Sequence, residues 1–259
     1  MRTMTDWPSY LVDRAITPAP ADCFVVERST PVVAFGNPVS ARVATLGINP
    51  SCSEFLNRRG ELLVGDKRRL TTWESIGRQD QGSLTGDDGR LVLDGCANYF
   101  SVRAYGWFKP LNLILAESIG ASYGQTACHL DLVQWATKPV WRELDTDVRA
   151  RLLTDGVDFL TRQLSTENYR LVLVNGRTVM DAVENAGIVT WQATGVTLRE
   201  PTATLVVGNH GGQRFLGWTC NLQSQPGARR HIGVLIDFVR DQAGFSLVPN
   251  VEGNECAPQ

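Results

Sequence analysis

Apolar residues follow two rhythms along this chain. Short runs apolar at nearly every position read as strands buried on both faces: Arg42–Ile48 (RVATLGI), His129–Trp135 (HLDLVQW) and Leu171–Val174. Thr202–Val207 and Phe215–Leu222 read as two further strands, joined by a turn over Gly208-Asn209-His210-Gly211-Gly212. Between these runs the spacing changes to the helical one. Pro110–Ile119 carries Pro in its first turn and stops at Gly120. Asp145–Leu164 starts at an Asp cap and aligns Val148, Leu152, Leu153, Val157, Leu160 and Leu164 on one face. Thr178–Ala186 is stopped by Gly187, and Arg229–Ala243 places Ile232, Leu235, Ile236, Val239 and Ala243 on one stripe before Gly244. Strands alternating with helices predict an α/β fold around a sheet.

Composition narrows the class. Of 259 residues, 43% are hydrophobic and 20% charged, as in an ordinary globular protein. No apolar run approaches the ~20 residues of a membrane helix, and the opening MRTMTDWPSY lacks a signal-peptide pattern, so a cytoplasmic protein is expected. The six cysteines (Cys23, Cys52, Cys96, Cys128, Cys220, Cys256) form no CxxC pair, which predicts reduced thiols and neither a structural metal nor an iron–sulfur cluster. With 25 basic and 27 acidic residues the net charge is -2, which excludes a generally polybasic nucleic-acid binder but permits a local basic face. With no repeat and no linker-like stretch, one domain over 1–259 is expected, its core at about 31–245. The polar, glycine-rich stretch 57–98 reads as an insertion or lid, and 246–259 as a loose tail.

GxGxxG, GxxxxGK[ST], GxSxG and HExxH are all missing, so dinucleotide redox chemistry, nucleotide hydrolysis, serine hydrolysis and zinc proteolysis lose their usual support. Three segments stand out instead. Gly47-Ile48-Asn49-Pro50-Ser51 directly follows a strand. Pro50 forces Asn49 out of the α region and so holds its side chain at the carboxyl end of the sheet, where open α/β sheets bind ligands; a plain turn explains the same letters. In Ala127–Trp141, Asp131 sits inside an apolar strand, a costly place for a carboxylate without a partner or a task. Asn221–Arg230 (NLQSQPGARR) leads into a helix whose first turn carries Arg229, Arg230 and His231. Cations there oppose the helix dipole, which suits a bound anion such as a DNA phosphate; a solvated basic turn is the alternative.

In this order, the three segments resemble the uracil-DNA glycosylase superfamily over roughly Arg42–Val239. GINPS is similar to the first motif of the mismatch-specific, thymine-type branch, the strand around Asp131 to the one that reads the base, and Gln225–Arg230 to the intercalation loop. The fold this implies is a three-layer α/β/α sandwich with a central, mainly parallel sheet of four to five strands. The activity it implies is release of a base flipped out of DNA, without metal or cofactor, by a monomer acting on duplex or single-stranded DNA.

Carried over, Asn49 orients the hydrolytic water and Gln225 stands beside the departing base. Gly47, Ile48, Ser51, Asp131 and His129 line the base pocket, and Phe55, or an aromatic from Trp107-Phe108, stacks on the ring. Phe55 and His129 each also fit an ordinary core position, and His210 an exposed turn. Arg229 and Arg230, with Arg68 and Arg69 and the neighbouring Arg58, Arg59 and Lys67, would make a DNA-facing stripe, though a solvated loop explains the insertion's cations equally well. No lysine stands in the pocket segments to form an imine, so hydrolysis without strand cleavage is expected.

Two departures from the family carry information. Where the family has Asn on the central strand, this chain has Asp131, which when ionised only accepts hydrogen bonds and so suits the exocyclic amine of cytosine and a proton on N3. Ser51 stands where the uracil-strict branch has a Tyr that blocks the base's C5 position. Both point to a C5-modified cytosine, which would suit defence against phages with modified bases; genome repair and destruction of foreign DNA both stay open. Gln225, where the family often has His, is a weaker electrophile. Uracil or mismatch repair, and non-catalytic binding of altered or single-stranded DNA, are the competing readings.

Overall fold

The computed structural model describes residues 6–102 and 104–247; Cys256 and the tail from residue 248 lie outside them. Six strands form one sheet: β1 (Val43–Gly47), β2 (Ala127–Asp131), β3 (Leu171–Asn175), β4 (Gln192–Leu198), β5 (Ala203–His210) and β6 (Gln213–Trp218), in the order β2-β1-β3-β6-β5-β4. The pairings β2–β1, β1–β3 and β3–β6 are parallel, and β5 runs antiparallel to both β6 and β4. The sheet is therefore mainly parallel, as expected, with six strands instead of four or five. The extra one, β4, lacks an apolar run because it is an edge strand with most residues exposed.

Every residue of β1, β2 and β3 is buried, because helices cover both faces. The helices are α1 (Ser9–Ile16), α2 (Gly86–Ala97), α3 (Lys109–Ile119), α4 (Thr146–Thr166), α5 (Arg177–Asn185) and α6 (Ile232–Ala243). Helices α3 and α6 pack on one face through Leu111, Ile114, Leu115, Leu235 and Val239, against Val43, Leu171 and Leu216. Helices α4 and α5 pack on the other through Leu160, Leu164, Val179 and Val183, against Ala44, Leu130 and Val172. The fold is a three-layer α/β/α sandwich.

The stretch 57–98 is not all lid. Its second half is α2, opened by a capping box between Thr85 and Asp88 and buried on α1 through Val92 and Leu93. Asp87, exposed and paired with Arg90, and Asp94, which accepts from Trp7 Nε1 at 2.9 Å, give the segment its polar look. The strand expected over 129–135 ends at Asp131, because β1 ends at its register partner Gly47 and no ladder continues beyond. Leu132 and Val133 then donate to the Gly47 and Ile48 carbonyls at 3.1 and 3.0 Å. Helix α4 lies tightly over this exit: a Cβ on Gly156 would come within 3.0 Å of the Val133 Cα. Arg14 of α1 anchors the same region, donating to Gln134 Oε1 at 2.8 Å and Asp155 Oδ2 at 2.6 Å. Hydrogen bonds in both directions between Phe35 and His129 (2.8 and 2.9 Å) cover the open edge of β2.

Candidate functional site

A cleft of about 660 Å³ opens at the carboxyl ends of the parallel strands. Gly47, Asp131 and Asn175, the last residues of β1, β2 and β3, line it together with Thr219, just past β6. A second hollow of about 500 Å³, around Val25, Glu27, Arg28 and Lys138, shares no lining residue with it.

Asn49 leaves β1 as expected and is anchored by its amide, which donates to the Trp135 carbonyl and to Thr137 Oγ1, both at 3.2 Å. A carbonyl oxygen only accepts, so the NH2 must face Trp135 and the side-chain Oδ1 is the acceptor Asn49 presents. Pro50 and Ser51 follow along the cleft wall; Ser51 is exposed and caps a 3₁₀ turn over Cys52–Glu54 by accepting from Ser53 N at 3.2 Å.

Asp131 and His129 point to the same face of β2, and His129 Nε2 lies 3.5 Å from Asp131 Oδ1. On the other side of its ring, His129 Nδ1 meets Thr45 Oγ1 at 2.7 Å, which meets the Tyr123 hydroxyl at 2.5 Å. With Asp131 ionised, the chain runs one way: Tyr123 donates to Thr45, Thr45 to Nδ1, and the Nε2 hydrogen faces the carboxylate. Three aromatic rings hold the imidazole, with centroids 5.2 Å (Phe108), 5.3 Å (Trp107) and 5.8 Å (Phe35) away. His129 is thus both a satisfied buried residue and a wall of the cleft.

Phe55 takes no part in that wall. It is 1% exposed and belongs to the hydrophobic core under the sheet. Its place on a 3₁₀ turn sends consecutive residues to different sides, so Glu54 lines the cleft while Phe55 packs inward. Trp107 and Phe108, the alternative aromatics, do line the cleft.

Glu54 is the residue that sequence reasoning missed. It is 3% exposed and accepts from the Tyr99 hydroxyl at 2.8 Å. Desolvation pushes its carboxyl up to about 7, against the lowering effects of the Tyr99 hydrogen bond and Arg69, and the Asp131 charge raises it further. Asn175 was missed as well. Its Oδ1 accepts from Trp218 Nε1 (2.8 Å) and Leu222 N (3.1 Å), and its amide donates to Gln223 Oε1 (2.6 Å), which holds the β6 exit loop in place. Asn175 carries no local signal and reaches the cleft only through the sheet order, whereas Glu54 follows close on the Gly47–Ser51 segment, next to Phe55, to which the stacking role was given.

Gln225 lines the cleft, following an Asn221 turn in which Asn221 Oδ1 accepts from Gln223 N and Ser224 N at 3.0 and 2.9 Å. The basic turn differs from expectation. Ala228–His231 is 3₁₀ and α6 starts at Ile232, with Arg229 and Arg230 exposed outside the cleft lining. His231 is buried against the Pro201 carbonyl at 2.7 Å, so it is no phosphate ligand. Arg68 is exposed, whereas Arg69 is half-buried, bonded to the Ser53 carbonyl and stacked on the Tyr105 ring. The exposed cations that do line the cleft are Arg142 and Arg177. The β5–β6 hairpin turn contains only Gly211-Gly212, and His210 lies at the opposite end of β6 from the cleft.

Among the described residues no three His, Cys, Asp or Glu side chains gather as a metal ion would require, and no helix is long and apolar enough to cross a membrane. No protein-family profile matches the chain, and no curated protein is significantly similar to it.

Proposed function

We propose that the protein is a monofunctional DNA glycosylase of the uracil-DNA glycosylase type, acting on a flipped pyrimidine, with a C5-modified cytosine as its preferred base. The observation that carries this reading is the anchored amide of Asn49 in the same cleft as Asp131. An amide cannot take a proton, but an acceptor oxygen in a fixed position can orient water toward C1′ as the base departs and the sugar becomes oxocarbenium-like. Asp131 accepts from the exocyclic amine of the cytosine, and Trp107 offers a half-buried ring for stacking. Ser51, small and exposed, leaves room at C5. Gln225 donates to O2 of the departing base. Among the described residues the lining contains arginines but no lysine, which suits attack by water more than by an amine.

DNA would be recruited as a flipped-base duplex or a single strand by Arg142 and Arg177 at the cleft, with Arg229, Arg230, Arg68 and Arg69 further out. A monomer in the cytoplasm, needing no metal or cofactor, suffices for the reaction. A glycosylase tolerant of C5 substituents would act in defence against phages with altered cytosine. The test is incubation with oligonucleotides carrying uracil, cytosine or a C5-substituted cytosine, reading the released base by mass and abasic sites by alkaline scission. Release of the substituted cytosine is expected. A gel shift with no base released from any of them would overturn catalysis and leave a DNA-binding protein.

A further inference from the structure

We propose that Glu54 is the general acid of the reaction, delivering a proton to the ring nitrogen N3 of a cytosine-type base as the glycosidic bond breaks. This inference rests on the glycosylase reading above. Its first support is directional. The Tyr99 oxygen accepts the Tyr105 backbone N–H at 2.9 Å, and its hydroxyl donates to Glu54 Oε2 at 2.8 Å. The proton of a neutral Glu54 therefore sits on Oε1, for which no described residue supplies a partner, in a side chain that lines the cleft. A second support is the division of labour between two cleft carboxyls. Like charges in one cavity cannot both ionise cheaply, and Asp131 Oδ1 already has His129 Nε2 beside it at 3.5 Å. The groups facing Glu54 are Tyr99 from the 3₁₀ turn Tyr99–Ser101, Arg69 from the loop before α2, and Asp131 from β2 with His129 beyond it. Desolvation and Asp131 outweigh Tyr99 and Arg69, keeping the carboxyl neutral up to about pH 7.

The step balances. The C1′–N1 bond breaks with its electron pair leaving on the base, and the Oε1 proton moves to N3, so cytosine departs neutral. Water attacks C1′, forms the C1′–O bond and releases a proton that restores Glu54. Uracil already carries hydrogen on N3, so Glu54 has nothing to deliver there, and its release does not depend on this proton.

The test is single-turnover release from oligonucleotides carrying a C5-substituted cytosine or uracil, for the wild type and Glu54→Gln, across the neutral pH range. The Gln side chain still accepts from Tyr99 and still places a donor in the cleft, but it cannot transfer a proton. We expect release of the cytosine derivative to fall about 100-fold or more, uracil release to fall far less, and the wild type's loss of rate above about pH 7 to vanish in the variant. Wild-type rates in Glu54→Gln, or equal slowing on both bases, overturn the proposal. Should the variant not fold, carboxyl NMR of wild-type protein labelled at glutamate decides. A glutamate titrating together with the cytosine rate supports the assignment, and all glutamates titrating in the ordinary carboxylate range overturn it. Release of uracil alone removes the general acid but leaves the glycosylase; release of no base at all removes both.

Discussion

Gly47 and Asp131 are partners across the parallel β1–β2 ladder, and the carboxylate lies where a side chain on Gly47 would be. A Cβ there would come within 2.8 Å of His129 Nε2 and closer still to Asp131 Oδ1. The glycine that opens the Gly47–Ser51 segment is thus a condition for two other cleft residues to hold their places. Gly47→Ala is expected to lower stability by about 1–3 kcal/mol through overpacking and to disturb base selectivity, read by urea denaturation and by competition between oligonucleotides. An unchanged midpoint with an unchanged ranking of bases would contradict this.

Asn49→Ala removes the oriented acceptor but no core packing, since Asn49 is only partly buried. Folding and DNA affinity should persist while base release falls on the order of 100-fold or more. Single-turnover excision at the wild-type rate would remove Asn49 from the mechanism.

Asp131→Asn exchanges an acceptor for a donor opposite the exocyclic amine. Preference should move from cytosine derivatives toward uracil by roughly 1–3 kcal/mol, about 5- to 150-fold. Ser51→Tyr should separately exclude C5-substituted bases while sparing unsubstituted ones. If the ranking of uracil, cytosine and C5-substituted cytosine is the same in wild type and Asp131→Asn, the residue does not read the base.

Tyr99→Phe tests the sign of one interaction. The Tyr99 hydrogen bond stabilises ionised Glu54 and so lowers its pKa from where burial would put it. Without that bond the carboxyl keeps its proton to higher pH, and the alkaline fall in cytosine release should begin at higher pH than in the wild type. A fall that stays in place or moves to lower pH contradicts the pairing.

Arg177→Ala at the cleft, and Arg229→Ala with Arg230→Ala outside it, should weaken binding to all DNA sequences alike, each lost phosphate contact reducing the salt slope by about 1. Gel shifts over a salt series distinguish the two groups. Wild-type slopes in Arg229→Ala/Arg230→Ala would make that 3₁₀ turn solvated surface only.

The sequence by itself determined what neighbouring residues control. The buried runs of β1 and β3, the helix stops at Gly120 and Gly244, and the exit of Asn49 from β1 before Pro50 all follow from periodicity and local backbone preference. The same local rules misread 57–98, because the face of α2 that matters is judged only against α1. They also could not tell Phe55 from Glu54: both are buried, but only Glu54 lines the cleft while Phe55 packs into the core. The meeting of Glu54 with Tyr99, 45 residues apart, the placement of Asn175 beside the β6 exit loop, and the approach of Asp131 to Gly47 belong to tertiary structure alone. Strand order decides which chain segments end at one edge of the sheet, and burial beside that edge then pushes the Glu54 carboxyl up; neither quantity exists in a contiguous stretch of sequence.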